Sequence, residues 1–204
     1  MRSRNCCRLG VGVWRPSTLL RQFLIALLLS IGAPVCHSQH PAPGTKIVHF
    51  GRVDEGIYKG SKPKNDADFR FLQSKHIRYI MDLNFMPLFA VEEKKKAREY
   101  GMAFIRIPMN ASPIPPSSKH VERALRILRD KRFHPIYFHC ELGRDRTSLV
   151  AALYDMYFRG VSQEDAWEEM KRNGYKDWFG IHGLKSYLFH HPTMSPAARA
   201  NRPH

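Results

Sequence analysis

The sequence predicts an α/β fold: a mostly parallel central sheet flanked by helices, with a distinctive loop between the last strand and the helix that follows it. Three observations carry this. Short apolar runs alternate with longer stretches of helical periodicity from Ile47 to His190, the pattern of strand–helix crossovers. The stretch His139 to Ser148, His-Cys-Glu-Leu-Gly-Arg-Asp-Arg-Thr-Ser, falls between the apolar run Pro135–Phe138 and the apolar segment Thr147–Phe158. The chain has 204 residues, one domain's worth once an N-terminal presequence is set aside. In such sheets the site lies beyond the carboxyl ends of the strands.

Ile47–Phe50 and Ile57–Lys59 are short and apolar enough for two strands. Asn65–Ser74 is predicted as a helix, Ile77–Leu83 as a strand, and Ala90–Tyr100 as a helix stopped at Gly101. Ala103–Ile107 is the next strand. Pro108, Pro113, Pro115 and Pro116 stiffen the loop behind it. Ser117 is placed to cap a helix reaching Arg129, whose Val121, Ala124, Leu125 and Leu128 recur at i, i+3, i+4 and i+7. Ile136–Phe138 leads into the loop, and helices follow over Thr147–Phe158, Ser162–Arg172 and about Ile181–His190. Ser162 and Asp165 have the spacing of a capping box. The domain is placed at residues 47–191, with unstructured segments at 39–46 and 192–204.

A loop that closes between a strand and a helix N-terminus turns several backbone N–H groups toward its own centre, and the helix dipole adds positive potential there. It binds an oxyanion. Cys140 heads this loop and sits in the same field, which stabilises a thiolate. Arg146 at its far end presents a planar fork of donors, matched to two oxygens of one phosphoryl group. Lysine would bring the charge without the fork. Gly143 permits a turn that a side chain resists, and an arginine buried without an anion would be costly. A cysteine behind a buried strand is ordinarily a small core hydrophobe; these neighbours point instead to a nucleophile.

His139-Cys140, five residues, then Arg146-Thr147 resembles the signature of the cysteine-dependent phosphatases, the protein-tyrosine and dual-specificity group. The likeness runs from about Val48 to Tyr187. Gly56-Ile57-Tyr58-Lys59-Gly60-Ser61-Lys62-Pro63 is similar to the leading strand of small bacterial and plant-type dual-specificity phosphatases. The resemblance implies a protein-tyrosine phosphatase-like fold and two displacements without metal or other cofactor. Cys140 attacks phosphorus, and water hydrolyses the phosphocysteine. Arg146 and the amides of Glu141, Leu142, Gly143, Arg144 and Asp145 bind the phosphoryl oxygens. It also implies that His139 fixes the loop and tunes the cysteine, a role compatible with a satisfied buried histidine, and that the Thr147 hydroxyl donates to the sulfur.

The family's usual general acid, an aspartate on the loop after the strand ending at Ile107, has no counterpart in Pro108-Met109-Asn110-Ala111-Ser112-Pro113-Ile114. Asp145 stands before Arg146, as in some lipid and inositol phosphatases whose loops end Asp-Arg-Thr. It is either the acid or the carboxylate that orients the loop; Asp82 is a weaker candidate. Two function classes stay open. One is a phosphatase acting on phosphotyrosine and related phosphoproteins, or alternatively on an inositol phosphate or phosphoinositide. The other is a non-catalytic module that binds a phosphorylated ligand, against which the intact Cys140 and Arg146 argue.

The charge balance, 33 basic against 18 acidic residues, suits a multiply anionic substrate or an anionic membrane surface. No nucleic-acid module or interleaved aromatic stretch is present, so no nucleic acid is expected as partner. Part of the charge, as in Glu92–Arg98, reads as the solvated face of a helix. Met1–Ser38 carries five arginines and no acid, with the apolar run Phe23–Ala33 broken at Pro34. This is the pattern of a secretory signal peptide; an uncleaved membrane anchor is the alternative. Cys6, Cys7 and Cys36 all lie in that segment, leaving Cys140 alone in an exported, monomeric chain. An unpaired thiol in an oxidising compartment is a liability unless it has a job.

Overall fold

The computed structural model describes residues 44–110, 114–176 and 183–190. In chain order the elements are β1 (Gly51–Asp54), β2 (Ile57–Ser61), α1 (Asp66–Ser74), β3 (Tyr79–Asp82), α2 (Leu88–Glu99), β4 (Ala103–Arg106), α3 (Ser118–Arg129), β5 (Ile136–Cys140), α4 (Arg146–Tyr154), α5 (Gln163–Arg172) and α6 (Gly183–His190). The five strands form one sheet in the order β1-β2-β5-β3-β4. β1 runs antiparallel to β2, and every other pairing is parallel. The last strand in sequence is therefore the middle one in space.

Strand alternation divides β5 between two cores. Ile136, Phe138 and Cys140 face a core shared with α3, α4, α5 and α6. Tyr137 faces a second core with Phe69, Phe71 and Leu72 of α1 and Ala97 of α2. Both faces of the sheet are thus covered, as expected for parallel strands. The α3 stripe Val121, Ala124, Leu125 and Leu128 is buried to the last residue. Helix α4 is buried on all sides from Thr147 to Tyr154. It carries no polar face because it runs through the core.

Several boundaries differ from expectation. Ile47–Phe50 is not a strand, and the antiparallel edge forms one step later, at Gly51–Asp54. His49 takes a positive φ of 54°, which breaks an extended run. Val48 still touches β2, accepting from the Ser61 N–H and donating its own N–H to the Ser61 hydroxyl. The unstructured segment expected over 39–46 is fastened at its end. The Lys46 N–H donates to buried Asp68 at 2.6 Å, and Asp68 also accepts from the backbone of Lys64 and Asn65. Ser117 occupies the cap position of α3 but makes no side-chain cap bond, whereas Ser162 accepts from the Asp165 N–H as its spacing suggested. The long helix expected from Thr147 to Phe158 widens into a π-helical turn over Asp155–Arg159 and stops at Gly160, φ 71°. The remaining N-terminal segment, the loop residues 111–113 and the tail from 191 lie outside the described residues. Among the described residues no helix is long and apolar enough to cross a membrane.

Candidate active site

Because β5 is central, the chain leaving it at Cys140 emerges between β2 and β3, with Ser61 paired to Cys140 and Asp82 paired to His139. The loop residues singled out in the sequence run from Cys140, the last residue of β5, through a single turn to Arg146, the first of α4. Cys140 is fully buried, and its backbone N–H donates to the Thr147 hydroxyl at 2.7 Å. That bond uses a lone pair of Oγ1 and leaves the hydroxyl proton for another acceptor. It ties the head of the loop to the first turn of α4.

Gly143 has φ 73°, and a Cβ there would come within 2.7 Å of the Gly60 and Ser61 backbone. The loop is therefore laid against the end of β2 at the one residue that can lie so close. The Lys62 N–H donates to the Glu141 carbonyl and holds the loop from the same side. Arg146 opens α4, with one terminal nitrogen donating to the Met109 carbonyl at 3.4 Å. Its Nε is buried with no partner among the described residues, so the guanidinium keeps donor capacity for a bound anion. Asp145 is the N-cap residue of α4 but its side chain makes no cap bond. Its carboxylate lies 3.6 Å from the Arg144 guanidinium and is partly exposed. Asp82 is buried at the end of β3, accepts from the Asn84 N–H, and stands 3.9 Å from Arg106. Burial pushes its carboxyl above the usual range, against His139 and Arg106 nearby.

The loop borders a cavity of about 710 Å³. Arg146 and Glu141 form its edge; Phe69, Phe85 and Met86 supply apolar wall; Lys62, Lys64 and Lys96 supply charge. Lys62 lies 3.7 Å from Glu93 and Lys64 lies 3.9 Å from Glu141. A cavity of this size takes a ligand larger than phosphate itself.

Under the loop is a buried ion pair that the sequence reading missed. His139 Nε2 stands 2.6 Å from Glu93 Oε1, with both side chains essentially inaccessible. Burial alone would lower the histidine's pKa, but the Glu93 charge and hydrogen bond, with Asp82 adding to them, raise it above its ordinary value. Glu92–Arg98 was expected to be a solvated helix face, yet Glu93 and Ala97 point inward. The signal was available: Ala90, Glu93 and Ala97 share one helical face at i, i+3 and i+7. A glutamate between two alanines on that face is a core position carrying a charge. Asp82, Glu93 and His139 place one ligand atom each within 4.8 Å of the others. With the imidazole in direct contact with a carboxylate, the arrangement is that of a salt bridge, and we assign no metal to it.

The sequence is 24% identical over 189 residues to the dual specificity protein phosphatase TpbA of Pseudomonas aeruginosa strain UCBPP-PA14, covering 85% of this chain and 81% of that protein. It is 30% identical over 137 residues to the inositol diphosphatase DSP3 of Arabidopsis thaliana, covering 64% of each. The fold is shared with the core catalytic domain of the PP-IP phosphatase SIW14 from S. cerevisiae, at TM-score 0.65 and 18% identity over 75% of this chain and 90% of that one. It is shared also with the P. aeruginosa TpbA crystal structure, at TM-score 0.61 and 20% identity over 75% and 89%. The sequence model of the tyrosine phosphatase family matches residues 46–156, more than half of the chain and all of the sheet and loop just described. The chain is a phosphatase of the tyrosine phosphatase family.

Proposed function

We propose that this phosphatase works through a phosphocysteine intermediate, with Cys140 as nucleophile and a phosphorylated protein as substrate. The observation that carries the reading is the single loop that sets Cys140 at the end of the central strand and Arg146 at the edge of the cavity. A phosphoryl group seated in the loop would have the Arg146 fork and the loop amides on its oxygens and the sulfur behind phosphorus. In the first step the Cys140 thiolate forms the S–P bond as the P–O bond to the leaving group breaks, and a proton goes to the leaving oxygen. In the second, water forms a P–O bond, the S–P bond breaks, and inorganic phosphate departs. Asp145, in the loop and partly exposed, is the carboxyl we propose for the leaving-group proton, since Asp82 is buried away from solvent.

The apolar wall of Phe69, Phe85 and Met86 suits an aromatic phosphoester, and the TpbA relatives are named as dual specificity protein phosphatases. A second reading, an inositol phosphate, is favoured by one observation: Lys62, Lys64 and Lys96 line the same cavity beside Arg146. The plant relatives are named as inositol diphosphatases. Side-by-side turnover of a phosphotyrosine peptide and an inositol polyphosphate decides between them. The cysteine mechanism itself is tested on an activated aryl phosphate with chelator present. Vanadate should inhibit, and Cys140→Ser should abolish turnover while retaining phosphate-analogue binding; turnover surviving in that variant would overturn it. We also propose export, from the arginine-rich and then apolar pattern of Met1–Ser38. Mass spectrometry of the protein from its host, finding a chain that starts near Gln39, would support it.

A further inference from the structure

We infer that Glu93 is a positioning residue of this reaction: it holds His139 as a buried cation directly beneath Cys140. The inference rests on the cysteine reading above. Nε2 meets a Glu93 carboxylate oxygen at 2.6 Å, and Nδ1 meets the Cys140 carbonyl oxygen at 3.4 Å. Both partners only accept. A neutral ring has one proton and would bring a lone pair against one of these oxygens; the doubly protonated ring presents positive charge to both, donating from Nδ1 to the Cys140 carbonyl and meeting Glu93 in a close ion pair rather than an aligned hydrogen bond.

The surroundings can carry that charge. Glu93 comes from α2, and Lys62, just past β2, stands 3.7 Å from its other oxygen. Asp82 of β3 brings a second carboxylate within 4.8 Å, with Arg106 of β4 beyond it. The Tyr137 ring stacks on the imidazole at 5.7 Å, and Cys140 follows on the same strand. A carboxylate buried as deeply as Glu93 would be expensive without a cation against it. The pair therefore folds as a unit.

Two consequences reach the nucleophile. The Nδ1–H bond to the Cys140 carbonyl orients the first peptide of the phosphate loop, and a fixed positive charge lies next to the residue that must bear a negative one. Glu93 and Lys62 also line the cavity, so the same carboxylate that charges His139 borders the space where substrate binds. Neither touches the reacting atoms; the effect passes through His139.

The test reads His139 directly. Ring nitrogen NMR, with the His139 signals assigned by their loss in His139→Asn, should show both nitrogens still protonated above the ordinary histidine pKa in the full chain. In Glu93→Gln the same transition should fall by a unit or more, and kcat should drop about tenfold at neutral pH with KM little changed, the factor that one pKa unit sets in population. Its kcat/KM should also begin to decline at a lower pH. Glu93→Asp, which keeps the charge, should recover part of both. A carboxylate that merely supported the fold would leave the ring titration where it was, and identical His139 titrations in the parent and in Glu93→Gln would overturn the inference. The titration is repeated on Cys140→Ser, where activity plays no part. A cysteine mechanism that fails is then seen as turnover surviving in Cys140→Ser, whereas a Glu93 role that fails is seen in the NMR alone.

Discussion

The two faces of β5 do different work with alternate residues of five consecutive positions. On one face Ile136, Phe138 and Cys140 belong to the apolar core under α3 to α6. On the other, Tyr137 donates its hydroxyl to the Ser61 carbonyl and His139 pairs with Glu93. A strand turns successive side chains to opposite sides, so the proposed nucleophile is held by packing while its neighbour is held by charge. Apolar packing fixes position without adding a titratable group. The polar face supplies the field, and places it one residue from the thiol without burying a charge in the main core.

The largest effect that sharpens this contrast is on stability. Phe138 is wholly buried on the apolar face, and Phe138→Ala should cost about 3 to 5 kcal/mol in denaturant unfolding, with Cys140 losing its packed floor. A loss under about 1 kcal/mol would mean that the core is not what holds this strand.

That face was also the easier one to foresee. Apolar alternation in Ile136–Phe138, the loop string after it and the α3 stripe follow from side-chain type alone, and the structure has each of them in place. What escaped depends on partners distant in sequence. Glu93 is separated from His139 by a whole crossover, and although its place between Ala90 and Ala97 on one helical face marks it as inward, nothing local names its partner. The β1 edge was displaced because His49 adopts a left-handed conformation that residue type does not favour. The π-helical widening at Asp155 likewise follows from packing and has no sequence breaker before Gly160.

Next in size is the leaving-group proton. Asp145→Asn should slow hydrolysis of an alkyl or inositol phosphate by about 10² or more and an activated aryl phosphate much less, since a good leaving group needs little protonation. Asp82→Asn should show no such contrast, because that carboxyl lies buried under the loop beside His139. Equal losses on both substrates would make Asp145 an orienting carboxylate for Arg144 and the loop.

On the polar face the effects are smaller. Tyr137→Phe removes one buried hydrogen bond and strands the Ser61 carbonyl, for about 1 to 2 kcal/mol. It should leave the chemistry nearly untouched, because Ser61 carries the loop only through backbone. A large fall in kcat without a fall in stability would contradict that division.

The smallest expected effect is also the one that tests the sign of the electrostatics. His139 has a folded pKa above its ordinary value of 6.5, so its pairing with Glu93 stabilises the fold in full below about 6.5 and the benefit is lost as pH rises through the folded pKa. Each unit of the shift is worth about 1.4 kcal/mol. Unfolding free energy of the parent should therefore decline on the alkaline side. In Glu93→Gln the causes that remain are burial, which lowers the histidine's pKa, and the weaker pull of Asp82 and Cys140. The same slope should flatten or reverse there. Asp82, raised by burial, adds a decline of the same sign that begins at its unfolded value of about 3.9. His49, whose pKa is lowered by burial and by Lys59 and Arg144, contributes the opposite slope. It does so in both proteins and drops out of the difference between the two curves, which reports His139 together with the smaller influence of Glu93 on Asp82 and Tyr137. Parallel curves from neutral to alkaline pH would show that Glu93 does not set the charge on His139, and the polar face would then differ from the apolar one in geometry only.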